Sequence, residues 1–228
     1  MFLRKNNTVK WRLLLITLIA TIVLALLGIF IFDKPLFLFF RGFDNSVWVI
    51  FERVFATKIW LGTFGILFTL NLIKNTLNTK SKHKENKNKF NLKLKIKEII
   101  VISKTNYSFL ILCSILSSAI ITGVLKFIIG RSRPVFFEAL GRTGFLPWTH
   151  DWAFNSMPSG HTSASFAGFV MLGLLFPKYK WATWMAAILI GLSRIAIGAH
   201  FPSDVLVGAF IGMATADLIK YSFFKKIK

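Results

Sequence analysis

The sequence predicts an all-α fold, an integral membrane six-transmembrane-helix bundle with an external interfacial helix. Of the 228 residues 54% are hydrophobic and the mean hydropathy is +0.61, which is more apolar than a typical water-soluble domain. The formal net charge is +20, from 29 Lys and Arg against 9 Asp and Glu. Basic residues that flank apolar spans account for both properties. A nucleic-acid-binding domain would account for the charge but not for 25 Phe and 7 Trp, and disorder is excluded by the apolar surface available for burial.

Six stretches approach the roughly 20 apolar residues that a helix needs to cross the hydrocarbon core. The first, 13–32, carries no charge. A cleavable signal peptide is the competing interpretation, but the apolar run is too long for one and no small-residue cleavage site follows it. The predicted spans are 13–32, near 54–73, near 99–125, Ser159 to Phe176, near 181–199 and near 204–222.

The positions of the basic residues predict the orientation of this bundle. Most Lys and Arg lie before the first span, after the second, after the fourth or after the sixth. The positive-inside rule makes these segments cytoplasmic, so both termini are cytoplasmic and 33–57, 126–158 and 198–203 are external. The Lys- and Asn-rich loop 78–91 is interpreted as a topology determinant near anionic lipid rather than as a nucleic-acid site.

The first external segment predicts the interfacial helix, because apolar residues recur in it at helical spacing. Its apolar positions are Phe43, Val47, Ile50, Phe51, Val54 and Phe55, and Arg41, Asp44, Glu52 and Arg53 lie off that stripe. Two roles stay open for it: a lateral entrance for a lipid, or packing against the bundle.

Several ionisable residues do not fit the topology rules, and all of them lie at the predicted external membrane level. They are Lys126, Arg131, Arg133, Arg142, His161, Arg194, His200 and Asp204. Ionisable residues in such places are costly and indicate function by default. Taken singly, each could be a lipid-phosphate contact or a hydrogen-bonded structural residue. Their convergence on three span ends is what predicts a functional site.

Part of this set suits an anion. The segment Pro158-Ser159-Gly160-His161 opens the fourth span, where free backbone amides and the positive end of the helix dipole attract negative charge. Lys126 ends the third span and Arg133 follows soon after. Their ammonium and guanidinium groups would neutralise the oxygens of a phosphoryl group.

The remaining residues suit nucleophilic catalysis. Asp204 follows His200 by four residues, so its carboxylate can fix the tautomer of the ring and leave the other ring nitrogen as a nucleophile. His161 would protonate the departing oxygen. An anion clamp, an oriented nucleophile and an acid together predict phosphoryl transfer without a metal or another cofactor.

Three segments resemble the signature of the type 2 phosphatidic acid phosphatase family. They are KFIIGRSRP (126–134), PSGH (158–161) and SRIAIGAHFPSD (193–204), and they match K-x6-R-P, P-S-G-H and S-R-x5-H-x3-D without a gap. The resemblance covers about 95–222. It implies a catalytic core of four spans in 99–228, preceded in 1–98 by two spans, the interfacial segment and the basic loop.

The resemblance also implies a role for each matching residue. His200 would attack phosphorus and form a phosphohistidine while Asp204 orients it, and His161 would act first as acid and then as base for water. The phosphoryl oxygens would be bound by Lys126, Arg133, Ser159, Gly160 and Arg194. Arg131 lies outside the family pattern and is interpreted as a candidate headgroup contact.

The sequence therefore predicts a lipid phosphatase of a bacterial inner membrane with its site on the external face. Candidate substrates are undecaprenyl pyrophosphate, phosphatidylglycerophosphate, phosphatidic acid and a lipid A phosphate. A phosphotransferase that passes phosphate from His200 to an acceptor lipid would need the same residues. Vanadium haloperoxidases share the signature, but six hydrophobic spans argue against that soluble class. The intact pair His161 and His200 argues against a non-catalytic transporter or scaffold.

Other noticeable residues are interpreted structurally. The aromatic residues of the loop 135–157 predict an interfacial belt, with lipid gating as the alternative. His150 and Asp151 are interpreted as polar loop residues. Asp217 predicts a local ion pair with Lys220 or a solvated position. Cys113, the single cysteine, packs as a small hydrophobe and excludes an intrachain disulfide.

Overall fold

The computed structural model describes residues 1–4, 8–43, 46–54, 56–82 and 106–224. Several predictions lie outside the described residues. They are most of the basic loop 78–91, the start of the third span, the basic residues after Phe224, the residues Lys5, Asp44 and Phe55, and the side chains of Phe51 and Glu52.

The first helix is longer than predicted. Helix α1 (Trp11–Leu27) continues through a π-helical segment (Gly28–Phe32) into helix α2 (Asp33–Arg41). The prediction ended the span at residue 32 because a charge follows, and it assigned 33–57 to the external surface. Asp33 is instead 1% exposed. Its carboxylate is satisfied by protein donors rather than by water, so the charge does not end the helix.

A separate helix, α3 (Ser46–Val54), occupies the stretch predicted to be amphipathic. Val47, Ile50 and Val54 on its apolar stripe are 54%, 59% and 52% exposed, and Phe43 just before it is equally exposed. The helix nevertheless contacts the later helix Lys180–Ala196, so packing against the bundle and a lateral entrance for a lipid both stay open.

The other predicted spans coincide with helices, and their ends differ by a few residues except that the helix of the second span continues to Lys82 instead of ending near residue 73. These helices and a short one in the loop after the third span are α4 (Thr57–Lys82), α5 (Tyr107–Ile129), α6 (Pro134–Leu140), α7 (Gly160–Leu175), α8 (Lys180–Ala196) and α9 (Pro202–Phe224). Helix α7 is central and packs against α5, α8 and α9, while α1 packs against α9 and α4 against α5. The apolar core lies mainly between α4, α5 and α7 and includes Trp60, Ile115 and Met171.

Three helical stretches within the described residues are long and apolar enough to cross a membrane: Trp11–Arg41, Tyr107–Ile129 and Pro202–Phe224. Helix α7, at 16 residues, is a shorter apolar helix, and α8 has 17 residues. Both fall below the roughly 20 residues of a full span. The predicted count of six spans therefore stays a prediction.

Helices α7 and α9 approach closely at their N-terminal ends, and this contact brings two of the predicted motifs together. A Cβ atom on Gly208 of α9 would lie 2.6 Å from the main-chain oxygen of Ser159. Ser159 in turn donates its N–H to the main-chain oxygen of Asp204, at 3.0 Å. The start of α7 and the first turn of α9 are thus held side by side.

Gly130 ends α5 and holds the loop that follows it. Its φ is +57°, and a Cβ atom there would lie 1.7 Å from the main-chain oxygen of Leu146. Leu146 donates its N–H to the oxygen of Gly130 at 2.6 Å. The left-handed backbone and this contact both require glycine.

We expect Gly130→Ala to lower the free energy of unfolding by about 2 kcal/mol or more, since both the backbone strain and the clash oppose it. Thermal unfolding in detergent measures the change. Gly123→Ala is the matched control, because nothing lies within 4 Å of the added Cβ on that helical glycine. Equal melting temperatures for the two variants would contradict the prediction.

Candidate functional site

A cavity of about 480 Å³ opens at the end of the bundle where α5 ends and α7 and α9 begin. Six predicted site residues line it: Lys126, Arg133, Gly160, His161, Arg194 and His200. Ser159 and Asp204 do not line it, and both are fully buried. Residues that lie up to 74 positions apart in the chain therefore meet in one place, as their motif pattern predicted.

Helix ends position each of these side chains. Lys126 is in the last turn of α5 and Arg194 in the last turn of α8, while Asp204 is in the first turn of α9. Arg133 is extended, with φ −77° and ψ 156°, because the following proline disfavours a helical conformation. His161 follows the first residue of α7.

His200 lies in the short connection between α8 and α9, and its N–H donates to the main-chain oxygen of Arg194 at 3.1 Å. The ring is 2% exposed. Its Nδ1 lies 3.7 Å from Oδ2 of Asp204, slightly beyond hydrogen-bonding distance, and 3.5 Å from Oγ of Ser156. With Nδ1 facing Asp204, Nε2 is the ring nitrogen available to a ligand in the cavity.

Burial lowers the pKa of His200 well below its usual value because the charged ring would lose its hydration. Asp204 opposes this shift, while the cations Lys126 and Arg194 add to it. The ring is therefore neutral at neutral pH, which is the form with a lone pair available for nucleophilic attack.

Asp204 is held by three donors besides its contact with His200. Arg131 Nη1 donates to Oδ1 at 2.6 Å, and Ser156 Oγ and the N–H of Phe201 donate to Oδ2 at 2.6 and 2.9 Å. A carboxylate with this many donors is fixed in place and stays ionised. Ser156 was missed in the sequence because a single serine before a proline-containing motif carries no periodic or charge signal.

The cationic clamp converges on Asn155, which the sequence did not single out. Lys126 Nζ donates to Oδ1 of Asn155 at 2.8 Å and also contacts its main-chain oxygen. Arg133 Nη2 donates to the same Oδ1 at 3.1 Å. The amide oxygen therefore sits between two cations, as a phosphoryl oxygen would.

Arg133 is fixed by further contacts at the cavity wall. Its Nε donates to the main-chain oxygen of Trp152 at 3.1 Å, and its guanidinium carbon lies 4.5 Å from the Trp152 ring centroid. Burial lowers the pKa of Arg133, and neighbouring Arg194 lowers it further. Arginine remains charged despite such a shift. The cavity thus holds concentrated positive charge, which favours a multiply charged anion.

We expect Asn155→Ala to weaken binding of inorganic phosphate roughly tenfold, because two like charges lose the acceptor that holds them together. Asn155→Asp should weaken it more, since its carboxylate would neutralise the clamp and compete with the anion. Isothermal titration calorimetry on the purified protein measures both affinities. Phosphate binding to Asn155→Asp at or above the affinity of Asn155→Ala would contradict this electrostatic account.

The interpretation of Arg131 as a candidate headgroup contact was wrong. Arg131 is 2% exposed, and its terminal nitrogens donate to Asp204, Asp33 and Ser203 at 2.6 to 2.7 Å. It lies beneath the cavity rather than at its mouth. Asp33 was not considered as a site residue, although an acid directly after an uncharged span is a signal that could have identified it.

The loop residues agree with their structural interpretation, whereas Asp217 does not. His150 stacks on the Phe127 ring at 4.5 Å between centroids, and Asp151 accepts the N–H of Ala153 at 2.9 Å. Asp217 was predicted to be solvated or paired with Lys220. It is fully buried and accepts the N–H of Phe2 at 2.7 Å, while Lys220 donates to the main-chain oxygen of Leu174.

Comparisons with known proteins match the half of the chain that carries these motifs. The family model described as PAP2 superfamily matches residues 107–228. A lipid A 1-phosphatase of Rhizobium etli is 40% identical over 99 residues, which cover 43% of each chain. Phosphatidylglycerophosphatase B of Bacillus subtilis is 33% identical over 136 residues, covering 55% of this chain and 62% of that one. The first of these matches therefore spans less than half the length of its relative.

The crystal structure of Aquifex aeolicus LpxE is similar to this fold, and the alignment covers 83% of this chain and 95% of the LpxE chain. The TM-score is 0.49 and the sequence identity is 21%.

Proposed function

This chain belongs to the PAP2 superfamily, and from that membership we propose that it is an integral membrane lipid phosphatase that works through a phosphohistidine. The observation that carries the proposal is the cavity itself. It combines a buried neutral His200, a second histidine, His161, and the cations Lys126, Arg133 and Arg194. The relatives named as phosphatases of lipid A and of phosphatidylglycerophosphate support a lipid phosphate as the substrate.

In the first step, Nε2 of His200 attacks phosphorus and the bond between phosphorus and the lipid oxygen breaks. His161 gives its proton to that departing oxygen, which leaves as a lipid alcohol or a lipid monophosphate. The charge that develops on the phosphoryl oxygens is stabilised by Lys126, Arg133 and Arg194 and by the N-terminal end of α7 at Gly160. In this proposal Ser159 supports the same helix end.

In the second step, His161 removes a proton from water, and the water oxygen attacks phosphorus. The bond between phosphorus and Nε2 breaks, inorganic phosphate leaves, and His200 returns to its neutral form. Asp204 stabilises the positive charge that the ring carries as phosphohistidine. No other reactant is needed to balance the two steps.

The proposed membrane arrangement has six spans, with α4, α7 and α8 added to the three long apolar stretches. Both termini and the basic loop are cytoplasmic, and the cavity faces the external side of a bacterial inner membrane. The four spans of 99–228 form the catalytic core, while 1–98 supplies two spans and α3 on the outer surface. Exposed apolar side chains on α3 support its place at the lipid interface.

The acyl or prenyl part of the substrate would lie against the apolar side of the cavity. Val135, Trp152 and Ile197 line that side next to Arg133. Trp152 is 61% exposed, so one face of its indole contacts the guanidinium while much of the ring remains open to a lipid. Undecaprenyl pyrophosphate, phosphatidylglycerophosphate, phosphatidic acid and a lipid A phosphate all present the phosphoryl group that this arrangement requires.

A phosphate-release panel across these four lipids tests the proposal. Purified protein in detergent with a chelator should release inorganic phosphate from at least one of them, and His200→Ala serves as the blank. Adding an unphosphorylated acceptor lipid to radiolabelled donor separates hydrolysis from transfer, because transfer places the label on the acceptor. The proposed function would be overturned if the wild-type protein released no more phosphate than the His200→Ala blank from any of the four lipids.

A further inference from the structure

We propose that Asp33 and Arg131 act as a positioning pair for Asp204, so that the first helix of the chain takes part in setting the reactivity of His200. This inference rests on the proposed function. It concerns Asp33, a residue outside the matched region 107–228, and Arg131, which the signature leaves unassigned.

The geometry is a continuous chain of short contacts between charged groups. Arg131 Nη2 donates to Oδ2 of Asp33 and Nη1 donates to Oδ1 of Asp204, both at 2.6 Å. The two ends of one guanidinium thus join a carboxylate of α2 to a carboxylate of α9. These three side chains are at most 3% exposed, so water does not screen the interaction.

Ser203 closes the arrangement. Its N–H donates to Oδ1 of Asp33 at 2.9 Å and its Oγ donates to Oδ2 at 2.6 Å. Asp33 therefore binds the first turn of α9, one residue before Asp204, where a carboxylate also interacts favourably with the helix dipole. A Cβ atom on Gly28 would lie 2.9 Å from Cβ of Ser203, which shows how closely the first helix approaches this turn.

The charge balance explains why the second carboxylate matters to the chemistry. Asp33, Arg131 and Asp204 together carry one negative charge. Burial opposes the charge on Arg131, but the two carboxylates outweigh it and raise its pKa. Because Asp33 neutralises part of the guanidinium charge, the negative charge of Asp204 remains available to stabilise the positive ring of the phosphohistidine. Without Asp33 the cluster would be neutral. The charge of Arg131 would then add to the repulsion that the cationic clamp exerts on the positive ring of the phosphohistidine.

This role predicts an effect on turnover that is separate from substrate binding. The charged partner of Asp33 is Arg131 rather than a clamp residue in the described contacts, and one negative charge fewer near Lys126, Arg133 and Arg194 would not weaken the binding of an anion. Stabilisation of the phosphohistidine, by contrast, depends directly on Asp204. A role confined to holding the helices together would change the amount of folded protein without separating the two quantities.

The test is Asp33→Asn, which keeps the size of the side chain and an oxygen acceptor but removes its charge. With the best lipid of the panel, kcat per folded protein should fall roughly tenfold to a hundredfold, as expected for a displaced or weakened catalytic group. The KM and the inhibition constant of inorganic phosphate should stay within about twofold or decrease. Asp217→Asn is the matched control, because it neutralises another fully buried carboxylate far along α9, and it should keep the wild-type kcat.

The outcomes separate this inference from the proposed function. If the wild-type protein releases no phosphate from any lipid of the panel, the proposed function is contradicted. If the wild type is active and Asp33→Asn keeps the wild-type kcat, only the positioning pair is contradicted. The same holds if Asp33→Asn loses kcat and phosphate affinity together. If Asp33→Asn does not fold, Ser203→Ala is the second test, since it removes the bond that Oγ donates to Asp33 and the bond that Oγ accepts from Arg131, and it keeps every charge. It should lower kcat a few-fold at constant KM, and a wild-type kcat would overturn the inference.

Discussion

Replacing His200 with alanine should lower kcat by roughly 10⁴-fold or more and should prevent formation of the phosphoenzyme. In the proposed mechanism, Nε2 of His200 forms the bond to phosphorus, and no neighbouring side chain can take its place. Asp204 is occupied by Arg131, Ser156 and a main-chain N–H. His161 is at the start of another helix, and the proposed mechanism assigns it to the leaving group.

Radiolabelled lipid phosphate with rapid quenching under alkaline conditions measures the effect, because phosphohistidine survives alkali and is lost in acid. Label should remain on wild-type protein and be missing from His200→Ala. His150→Ala is the matched control: this histidine is exposed and stacks on Phe127 outside the cavity, so its loss should leave the label intact. Label retained on His200→Ala would place the nucleophile elsewhere.

Replacing His161 with alanine should lower the rate with lipid substrates by about 10²- to 10⁴-fold, the usual contribution of a general acid or base. The size of the loss should depend on the leaving group. A lipid alkoxide needs a proton to depart, whereas a nitrophenolate does not. Formation of the phosphoenzyme from p-nitrophenyl phosphate should therefore be nearly normal in His161→Ala.

The second step gives an independent check on the same residue. In the proposed mechanism His161 is the base for hydrolysis of the phosphohistidine, so the label should accumulate in His161→Ala with p-nitrophenyl phosphate and persist longer than in wild type. His150→Ala again provides the reference. Equal losses for both substrates in the first step would show that His161 does not protonate the leaving group.

The motif spacing was sufficient to predict which of the candidate site residues lie close together. Lys126, Arg133, His161, Arg194 and His200 were identified from their spacing, and all of them line one cavity. This worked because each lies within a few residues of a helix end, where hydropathy defines the boundary well. Ser159 and Asp204 were identified too, but their burial beneath the cavity depends on how α7 and α9 pack, which spacing alone does not give.

What the sequence could not provide came from contacts between distant segments. The first span was ended at residue 32 because a charge was assumed to need water, whereas Asp33 is satisfied by Arg131 and Ser203. Asp217 was likewise expected in solvent or in a local ion pair, and Arg131 was assigned to the headgroups because it lies outside the motif, yet both side chains are buried. Asn155 has no charge or periodic signal, so only its position between two cations reveals it.

The buried link from Asp33 to Arg131 also bears on the order in which the protein is made. The first helix leaves the ribosome nearly a hundred residues before Arg131 does, so for that interval its acid has no cationic partner. An unpaired carboxylate is costly inside a bilayer, which favours a position of Asp33 near the headgroups until Arg131 arrives. Pairing with Arg131 and Ser203 then holds the first helix against α9 at the end of the bundle where the cavity lies. Insertion of the first helix and assembly of the cavity would thus be coupled through this one ion pair.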